Sequence, residues 1–219
     1  DRTSRGLGDV YKRQMSHAYS SIFADRTSRF RHHFAAAIDA SPDFTDGDNC
    51  FEVLRGVNFV AAHGGRVRDH RDSLSPNVVD NVDRGLAYSL ADVAEAHLQQ
   101  SRIARAWLDL FEDIDVVICP AASSTPFPHD QWSVGEIDGE AMETYMRWLG
   151  ITYLPTMALA CGIALPCGLD QAGMPFGIQV LSAPGNDRLV AEVAKALESV
   201  LQCHDATRRP LPDLDSLRG

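Results

Sequence analysis

Three short apolar runs constrain the fold of this chain more than any other feature of its sequence. The first covers Asp115–Cys119 and is closed by Pro120. The other two cover Ile163–Cys167 and Pro175–Ser182, and the segment Gly168–Met174 joins them. Apolar runs of this length are typical of strands that helices cover on both faces. Because the joining segment is short and rich in turn residues, we predict that the last two strands are adjacent.

Segments whose apolar residues have helical spacing lie before and after these strands in the chain. The pattern predicts helices at Phe30–Ala40, Cys50–His63, Ser89–Glu112 and Asp187–Leu201, with a shorter one beginning at Ser75. Ser89 and Asp92 have the spacing of a capping box, and Gly64 with Gly65 is interpreted as a helix stop. Together the elements predict an α/β fold, in which part of a mixed sheet is covered by helices.

The last helix is predicted to pack against the sheet. Its apolar stripe suggests contact through four residues, namely Leu189, Val193, Leu197 and Val200. Lys195 lies off this stripe, three positions after Glu192, and is expected to face solvent.

Net charge excludes several classes of partner. The 219 residues carry 30 acidic and 20 basic side chains, a formal net charge of −10. Nucleic acids and anionic membranes would repel such a chain, so we expect neither as a partner. The uncharged run Trp148–Leu169 is long enough for a bilayer helix, but Pro155 and Pro166 interrupt it. It is therefore predicted to be buried loop and strand.

The cysteines indicate a reducing compartment. Their number is odd and no two have C-x-x-C spacing, which argues against a disulfide framework or a zinc site. Residues 1–14 also lack the apolar segment of a secretory signal peptide. We predict a cytoplasmic protein that holds no metal ion.

The two ends of the chain are predicted to lie outside the fold. Residues 1–14 resemble a translated sequencing-adapter read and are interpreted as a non-native segment. Residues 205–219 are polar and contain two prolines, so we predict a surface tail. The folded part is then expected to cover residues 15–204.

Two segments resemble the C-terminal part of the amidase signature family. One is DVVICPAASSTP at Asp115–Pro126, and the stronger one is MALACGIALPCGLDQAGMPFGIQVLSAP at Met157–Pro184. The second joins an apolar strand ending in P-C-G to a turn and then to G-x-P-x-G-x-Q, which is a long and ordered pattern. CFEVLRG at Cys50–Gly56 and the last helix are also similar, so the resemblance spans about residues 30–202.

The resemblance implies hydrolysis of an amide by a serine that a second serine and a lysine activate. The family places these groups and its oxyanion loop upstream of the region matched here. The only lysines are Lys12, in the excluded segment, and Lys195, and the pair Ser123–Ser124 lacks the glycines of an oxyanion loop. We therefore assign no catalytic residue, and we expect a chain truncated on its N-terminal side that is inactive alone.

The same resemblance implies that this region forms the far wall of a substrate pocket. Its uncharged segment offers Trp148, Tyr153, Met157 and Cys161 as candidates for contact with the substrate. Plain core packing explains these side chains equally well. The implied substrate is a small amide, and no cofactor is implied.

Three alternatives remain open from the residues alone. The chain resembles an amidase that converts a small carboxamide to a carboxylate and ammonia or an amine. It is also compatible with the amidase-like subunit of a tRNA-dependent amidotransferase, or with a non-catalytic binding module of the same fold. The identity of the amide and the oligomeric state are not predicted.

Overall fold

The computed structural model of the protein describes residues 15–39, 42–212 and 214–215. The helices are α1 (His17–Phe30), α2 (Gly47–His70), α3 (Pro76–Ala87), α4 (Leu90–Leu110), α5 (Gly150–Met157) and α6 (Asp187–Gln202). The strands are β1 (Val117–Pro120), β2 (Glu136–Ile137), β3 (Glu140–Ala141), β4 (Cys161–Leu169) and β5 (Pro175–Ser182). Short 3-10 turns lie at Arg31–His33, Arg71–Ser73 and Arg147–Leu149. The predicted segment at residues 1–14 lies outside the described residues.

A three-stranded sheet lies at the centre of the fold. Its order is β1-β5-β4, so the predicted adjacency of the last two strands is confirmed, with Leu165 opposite Ile178. Asp170 closes the turn between them, because its Oδ1 accepts hydrogen bonds from the backbone N–H groups of Ala172 and Met174, both at 2.8 Å. All pairings between described strands are antiparallel, so the parallel neighbours of a mixed sheet are not among the described residues.

Helix α6 packs against β4 and β5, as predicted, but through a different line of residues. The buried positions are Val190, Ala194, Leu197 and Leu201. Of the four predicted contacts only Leu197 is fully buried; Leu189, Val193 and Val200 are half-buried. This line is displaced by one position from the predicted one at three of its four members, and it keeps the spacing of three or four residues that forms one face of a helix. Lys195 is exposed, as expected.

Two predicted helix boundaries are wrong. The stop at Gly64–Gly65 does not occur, since α2 continues to His70 and buries Val67 beyond the glycines. This packing outweighs the cost of about 1 kcal/mol that each glycine adds inside a helix. The helix predicted to begin at Phe30 does not form. Phe30 is the last residue of α1, and residues 35–39 are exposed without regular structure.

The segment predicted as buried loop and strand contains helix α5. Pro155 lies inside this helix, where it cannot donate to the carbonyl oxygen of Ile151 four residues earlier. The side chain of Gln179 on β5 replaces the missing donor, because its Nε2 donates to Ile151 O at 3.0 Å. A hydrogen bond from the sheet thus stabilises a helix that the local sequence disfavours. No helix among the described residues is long and apolar enough to cross a membrane.

The tail predicted at residues 205–219 is not wholly a surface segment. Thr207 is 1% exposed, and its Oγ1 donates to Leu201 O at 2.8 Å at the end of α6. The chain here passes so close to β4 that a Cβ added at Gly168 would lie 2.0 Å from Ala206 O. The beginning of the tail therefore belongs to the fold.

Leu159 follows α5 in a backbone conformation that usually belongs to glycine. Its φ is 56°, and the N–H of Ala160 bonds Pro155 O while that of Leu159 bonds Thr156 O, both at 3.1 Å. This is a Schellman end with leucine in the left-handed position. The left-handed backbone costs a leucine about 1 to 2 kcal/mol. Because the side chain is 73% exposed, its burial offsets little of this cost.

Leu159→Gly is therefore expected to stabilise the protein by about 1 kcal/mol and to raise Tm by about 2 to 4 °C. Thermal unfolding followed by circular dichroism measures the shift. Leu98→Gly is the matched control, since Leu98 is also exposed but lies inside α4, where glycine should cost about 1 kcal/mol. A lower Tm for Leu159→Gly would mean that the leucine side chain makes a stabilising contact.

Candidate functional site

The four side chains predicted to line a pocket lie in different surroundings, and none of them lines the two cavities between α2 and its neighbouring helices. Tyr153 and Met157 are both 5% exposed and belong to the core beneath α5. Trp148 lies in a 3-10 turn with its ring edge-on to Phe127, at a centroid distance of 5.4 Å. Cys161 begins β4, and its Sγ donates to Ala183 O at 3.1 Å. Their role in a substrate pocket stays a prediction.

A charged cluster connects α2 to the segment before α5. We call Asp48, Glu52, Glu143, Arg147 and Tyr153 the Arg147 cluster. Arg147 donates from Nε to Glu52 Oε1 at 2.6 Å, and its Nη2 lies 2.9 Å from Glu143 Oε2. Its Nη1 lies 3.6 Å from Asp48 Oδ2. One guanidinium thus holds three carboxylates, and its side chain is only 22% exposed.

The pKa values of two side chains in this cluster, Arg147 and Tyr153, are raised. Burial opposes the charge on Arg147, but the hydrogen bond and charge of Glu52 outweigh it, so the pKa of Arg147 lies above its ordinary value. Burial, and then the charge of Asp48, raise the pKa of Tyr153 far above its usual range. Its hydroxyl donates to Asp48 Oδ1, and its ring stacks on Phe51 at 3.9 Å. Tyr153 therefore acts as a fixed donor and not as a base.

One helical turn further along α2, Arg55 is enclosed by aromatic rings. Its guanidinium carbon lies 4.4 Å from the ring centre of Phe59 and about 6 Å from those of Phe51 and Tyr145. Nε donates to Asn81 Oδ1 at 3.1 Å, and Nη2 donates to the Tyr145 hydroxyl at 2.8 Å. Both of these hydrogen-bond partners are neutral.

A cavity of about 390 Å³ lies between the first turns of α2 and α4. Asp46, Asp92 and Glu95 line it, with Cys50 at the base donating to Ala96 O at 3.0 Å. Two of these carboxylates have partners elsewhere, because Asp92 caps α4 and Glu95 pairs with an arginine. The cavity presents no nucleophile and base in hydrogen-bond reach of each other among the described residues.

The serine pair after β1 lacks a base. Ser123 is fully buried, its Oγ has no hydrogen-bond partner among the described residues, and its carbonyl oxygen accepts from Ser16 N at 2.9 Å. The Oγ of Ser124 donates to the backbone carbonyl oxygen of Thr125. In the described part of the chain the one lysine is Lys195, which is exposed on α6. The structure therefore brings no lysine of residues 15–215 to these serines.

Three of the five thiols are also poorly suited to catalysis. Burial raises the pKa of Cys50 to about 11 and the pKa values of Cys119 and Cys167 to about 12, so all three stay protonated at neutral pH. All five cysteines are free. Within residues 15–39, 42–212 and 214–215, no group of three potential ligands is placed to hold a metal ion.

Sequence reasoning missed both arginine sites. The signal available was the spacing of Asp48, Glu52, Arg55 and Phe59, which repeats every three or four residues and marks one face of a helix. A polar stripe of this kind is usually solvated. Here it faces Glu143–Arg147, about 90 residues further along the chain, which no local pattern reveals.

Comparison with known proteins agrees with this architecture. The family model described as Amidase matches residues 68–191, more than half of the chain. A fatty acid amide hydrolase from Medicago truncatula is 28% identical over 160 residues, which cover 66% of this chain and 25% of that protein. A glutamyl-tRNA(Gln) amidotransferase subunit from Cyanothece sp. is 35% identical over 95 residues, covering 43% of this chain and 18% of that protein.

Solved structures show the same fold. An amidase superposes with a TM-score of 0.78 at 18% identity, covering 90% of this chain and 46% of its own. A bacterial aryl acylamidase of the amidase signature family superposes with a TM-score of 0.72 at 16% identity, covering 85% and 41%. The chain spans a quarter or less of the length of these two curated relatives and under half of either solved structure. On the extent of the family match, the chain belongs to the amidase family.

Proposed function

We propose that this chain is part of an amidase that hydrolyses a small carboxamide to a carboxylate and ammonia or an amine. In the reaction a serine attacks the amide carbon, the amine leaves with a proton, and water then releases the carboxylate from the acyl-enzyme. The nucleophile and its lysine lie outside this chain in our proposal. The chain supplies the sheet, α5 and the far wall of the substrate pocket.

The family match carries the amide chemistry of this proposal, and the separation of serine from lysine supports a nucleophile outside this chain. Ser123 is buried after β1, whereas Lys195 is exposed on the outer side of α6. A serine hydroxyl needs a general base within hydrogen-bond reach to take its proton as it attacks, and neither serine of the pair has one among the described residues. Family membership supports amide chemistry, while this separation argues against a complete site within residues 15–215.

The purified 219-residue protein is therefore expected to show no hydrolysis of acetamide or benzamide above a buffer blank. A fluorophosphonate probe, which labels activated serines, should leave it unlabelled. Ser123→Ala and Ser124→Ala are the controls, and they should match the unchanged protein. Turnover or labelling that disappears in either variant would show that a working serine lies in this chain.

A second candidate is favoured by the relatives named as subunits of glutamyl-tRNA(Gln) amidotransferase, of which one is 35% identical in the matched part. In this case the amide is glutamine, and the ammonia is passed to a second reaction. Assays of the full gene product with simple amides and with glutamine distinguish the two candidate functions. Ammonia release from simple amides supports the first candidate, and turnover confined to glutamine supports the second.

A further inference from the structure

Three leucines on the outer side of α4 are exposed to solvent. Leu90 is 85% exposed, Leu98 is 55% exposed and Leu108 is 49% exposed. No other described helix has more than one exposed large apolar side chain, and the one remaining example on a helix is Leu86 of α3. We call the exposed side of α4 between Leu90 and Leu108 the α4 face.

The three leucines lie on one side of the helix. Each residue turns an α-helix by about 100°, so Leu90 and Leu108 share one angular position and Leu98 is about 80° away from it. The opposite side of α4 is buried in the fold and holds Ala96, Ile103 and Trp107. Because α4 is already packed on that side, the leucines do not serve the core. Apolar side chains grouped on the outer side of a packed helix are a feature of protein–protein contacts.

One ion pair also lies on the α4 face. Glu95 is in the first half of the helix and Arg102 is in the second half, and Arg102 Nη1 lies 3.2 Å from Glu95 Oε1, so both side chains are on the same flank. Both are well exposed. Arg102 uses only Nη1 in its hydrogen bonds to described residues. Its Nε and Nη2 can therefore donate to a carboxylate of another molecule.

Leucines and charges together match a second α4 that runs in the opposite direction. Glu95 and Arg102 are equally distant from the point between residues 98 and 99, and Leu90 and Leu108 are equally distant from residue 99. A two-fold axis at this point places Glu95 opposite Arg102 of a second copy. The same axis places Leu90 opposite Leu108 of the second copy, and Leu98 against its own counterpart. A parallel pair would instead place each charge opposite an identical one.

The charge of α4 also distinguishes it from the rest of the chain. The helix has three acidic and two basic residues, whereas the whole chain has a formal net charge of −10. Two copies with this net charge repel each other over most of their surface. Contact through a face that is nearly neutral therefore costs less than contact through an acidic one.

We propose that the α4 face binds a second copy of this chain, as an antiparallel helix pair about a two-fold axis beside Leu98. Helix α4 has 21 residues and is about 30 Å long, so the interface lies at the small end of specific contacts, below about 1,200 Å². We expect a dimer with a dissociation constant of about 10 to 100 µM. The inference does not depend on amide hydrolysis, because it concerns self-association alone.

Sedimentation velocity of the full 219-residue protein tests the dimer, at about 5 to 300 µM, a range that brackets the expected dissociation constant. Arg102→Glu and Glu95→Arg each place two like-charge pairs in the contact and should weaken dimerisation about tenfold or more. The double variant restores both pairs, and its dissociation constant should return to within about threefold of the original. Arg188→Glu is the control, since Arg188 also pairs with a glutamate of its own helix, but on α6. It should leave dimerisation unchanged.

Disulfide trapping tests the register of the two helices. The background is Cys203→Ser, which removes the exposed native thiol. Leu98→Cys should form a linked dimer with oxidised glutathione, because the two copies of this position lie about 3 Å apart along the axis and a disulfide requires Cα atoms within about 7 Å. Leu90→Cys is the control and should stay unlinked, since its two copies lie about 27 Å apart along the axis. Non-reducing gel electrophoresis measures both.

Three results would overturn the proposal. The first is a protein that stays monomeric up to about 300 µM, well above the expected dissociation constant. The second is self-association that the two single charge reversals leave unchanged, which would assign it to another surface, such as an unpaired edge of the sheet. The third is a Leu90→Cys variant that links as readily as Leu98→Cys. All the substituted side chains are exposed, and circular dichroism verifies that each variant is folded.

Discussion

Gly85→Ala is expected to destabilise the protein by about 3 kcal/mol, although alanine normally favours a helix over glycine by about 1 kcal/mol. Helices α2 and α3 cross at Gly56 and Gly85. A Cβ at Gly85 would lie 2.3 Å from Gly56 O and 2.7 Å from Val60 Cγ2. Because Gly56 O is a backbone atom, no change of side-chain rotamer can relieve this contact. The two helices must therefore separate.

Gly65→Ala is the matched control on the same pair of helices. A Cβ there meets nothing nearer than Arg68 Nη2 at 4.0 Å, so propensity alone should act and stabilise the protein by about 0.5 to 1 kcal/mol. Gly56→Ala should be intermediate, because its nearest contacts are 3.0 Å. Urea unfolding of the three variants measures the order. Equal stability of Gly85→Ala and Gly65→Ala would contradict the close crossing.

The elements that follow from local chemistry were predicted correctly. Ser89 and Asp92 form the capping box in full, with Asp92 N bonded to Ser89 Oγ at 3.2 Å and Ser89 N to Asp92 Oδ2 at 2.7 Å. The β4–β5 pair follows from a short turn that Asp170 stabilises. In both cases the residues that decide the structure lie within about five positions of each other.

The elements that failed depend on contacts from distant parts of the chain. Helix α5 contains a proline, and it persists because Gln179 supplies the missing hydrogen bond to Ile151. Helix α2 passes through Gly64–Gly65 because Val67 finds a buried position beyond them. Local propensity is a weak prior, and tertiary packing overrides it at these positions.

The candidate site could not be predicted from the sequence for the same reason, since it depends on contacts between distant parts of the chain. Glu52 and Arg147 are 95 positions apart, and each alone has the pattern of a solvated helix-face charge. The family resemblance directed attention to the apolar residues of α5, and these turned out to be largely buried. The polar groups that α5 and its preceding segment bring to α2 became visible only in three dimensions.

Arg147→Met is expected to destabilise the protein by about 3 kcal/mol, because removing one member of a buried ion pair leaves the other uncompensated. Glu52 and Asp48 are 15% and 21% exposed and would face each other and Glu143 without this cation. Arg188→Met is the control. Arg188 pairs with Glu192 on the surface of α6, with its side chain 91% exposed, and its loss should have little effect.

A double-mutant cycle separates the ion pair from simple loss of packing. Glu52→Gln alone should also destabilise the protein, since it removes the carboxylate that Nε of Arg147 and the Thr144 hydroxyl both use. If the pair acts as a unit, the double variant should lose less than the sum of the two single losses by about 1 to 3 kcal/mol. Chemical unfolding at neutral pH gives all four free energies. Strict additivity would mean that Arg147 and Glu52 stabilise the protein independently of each other.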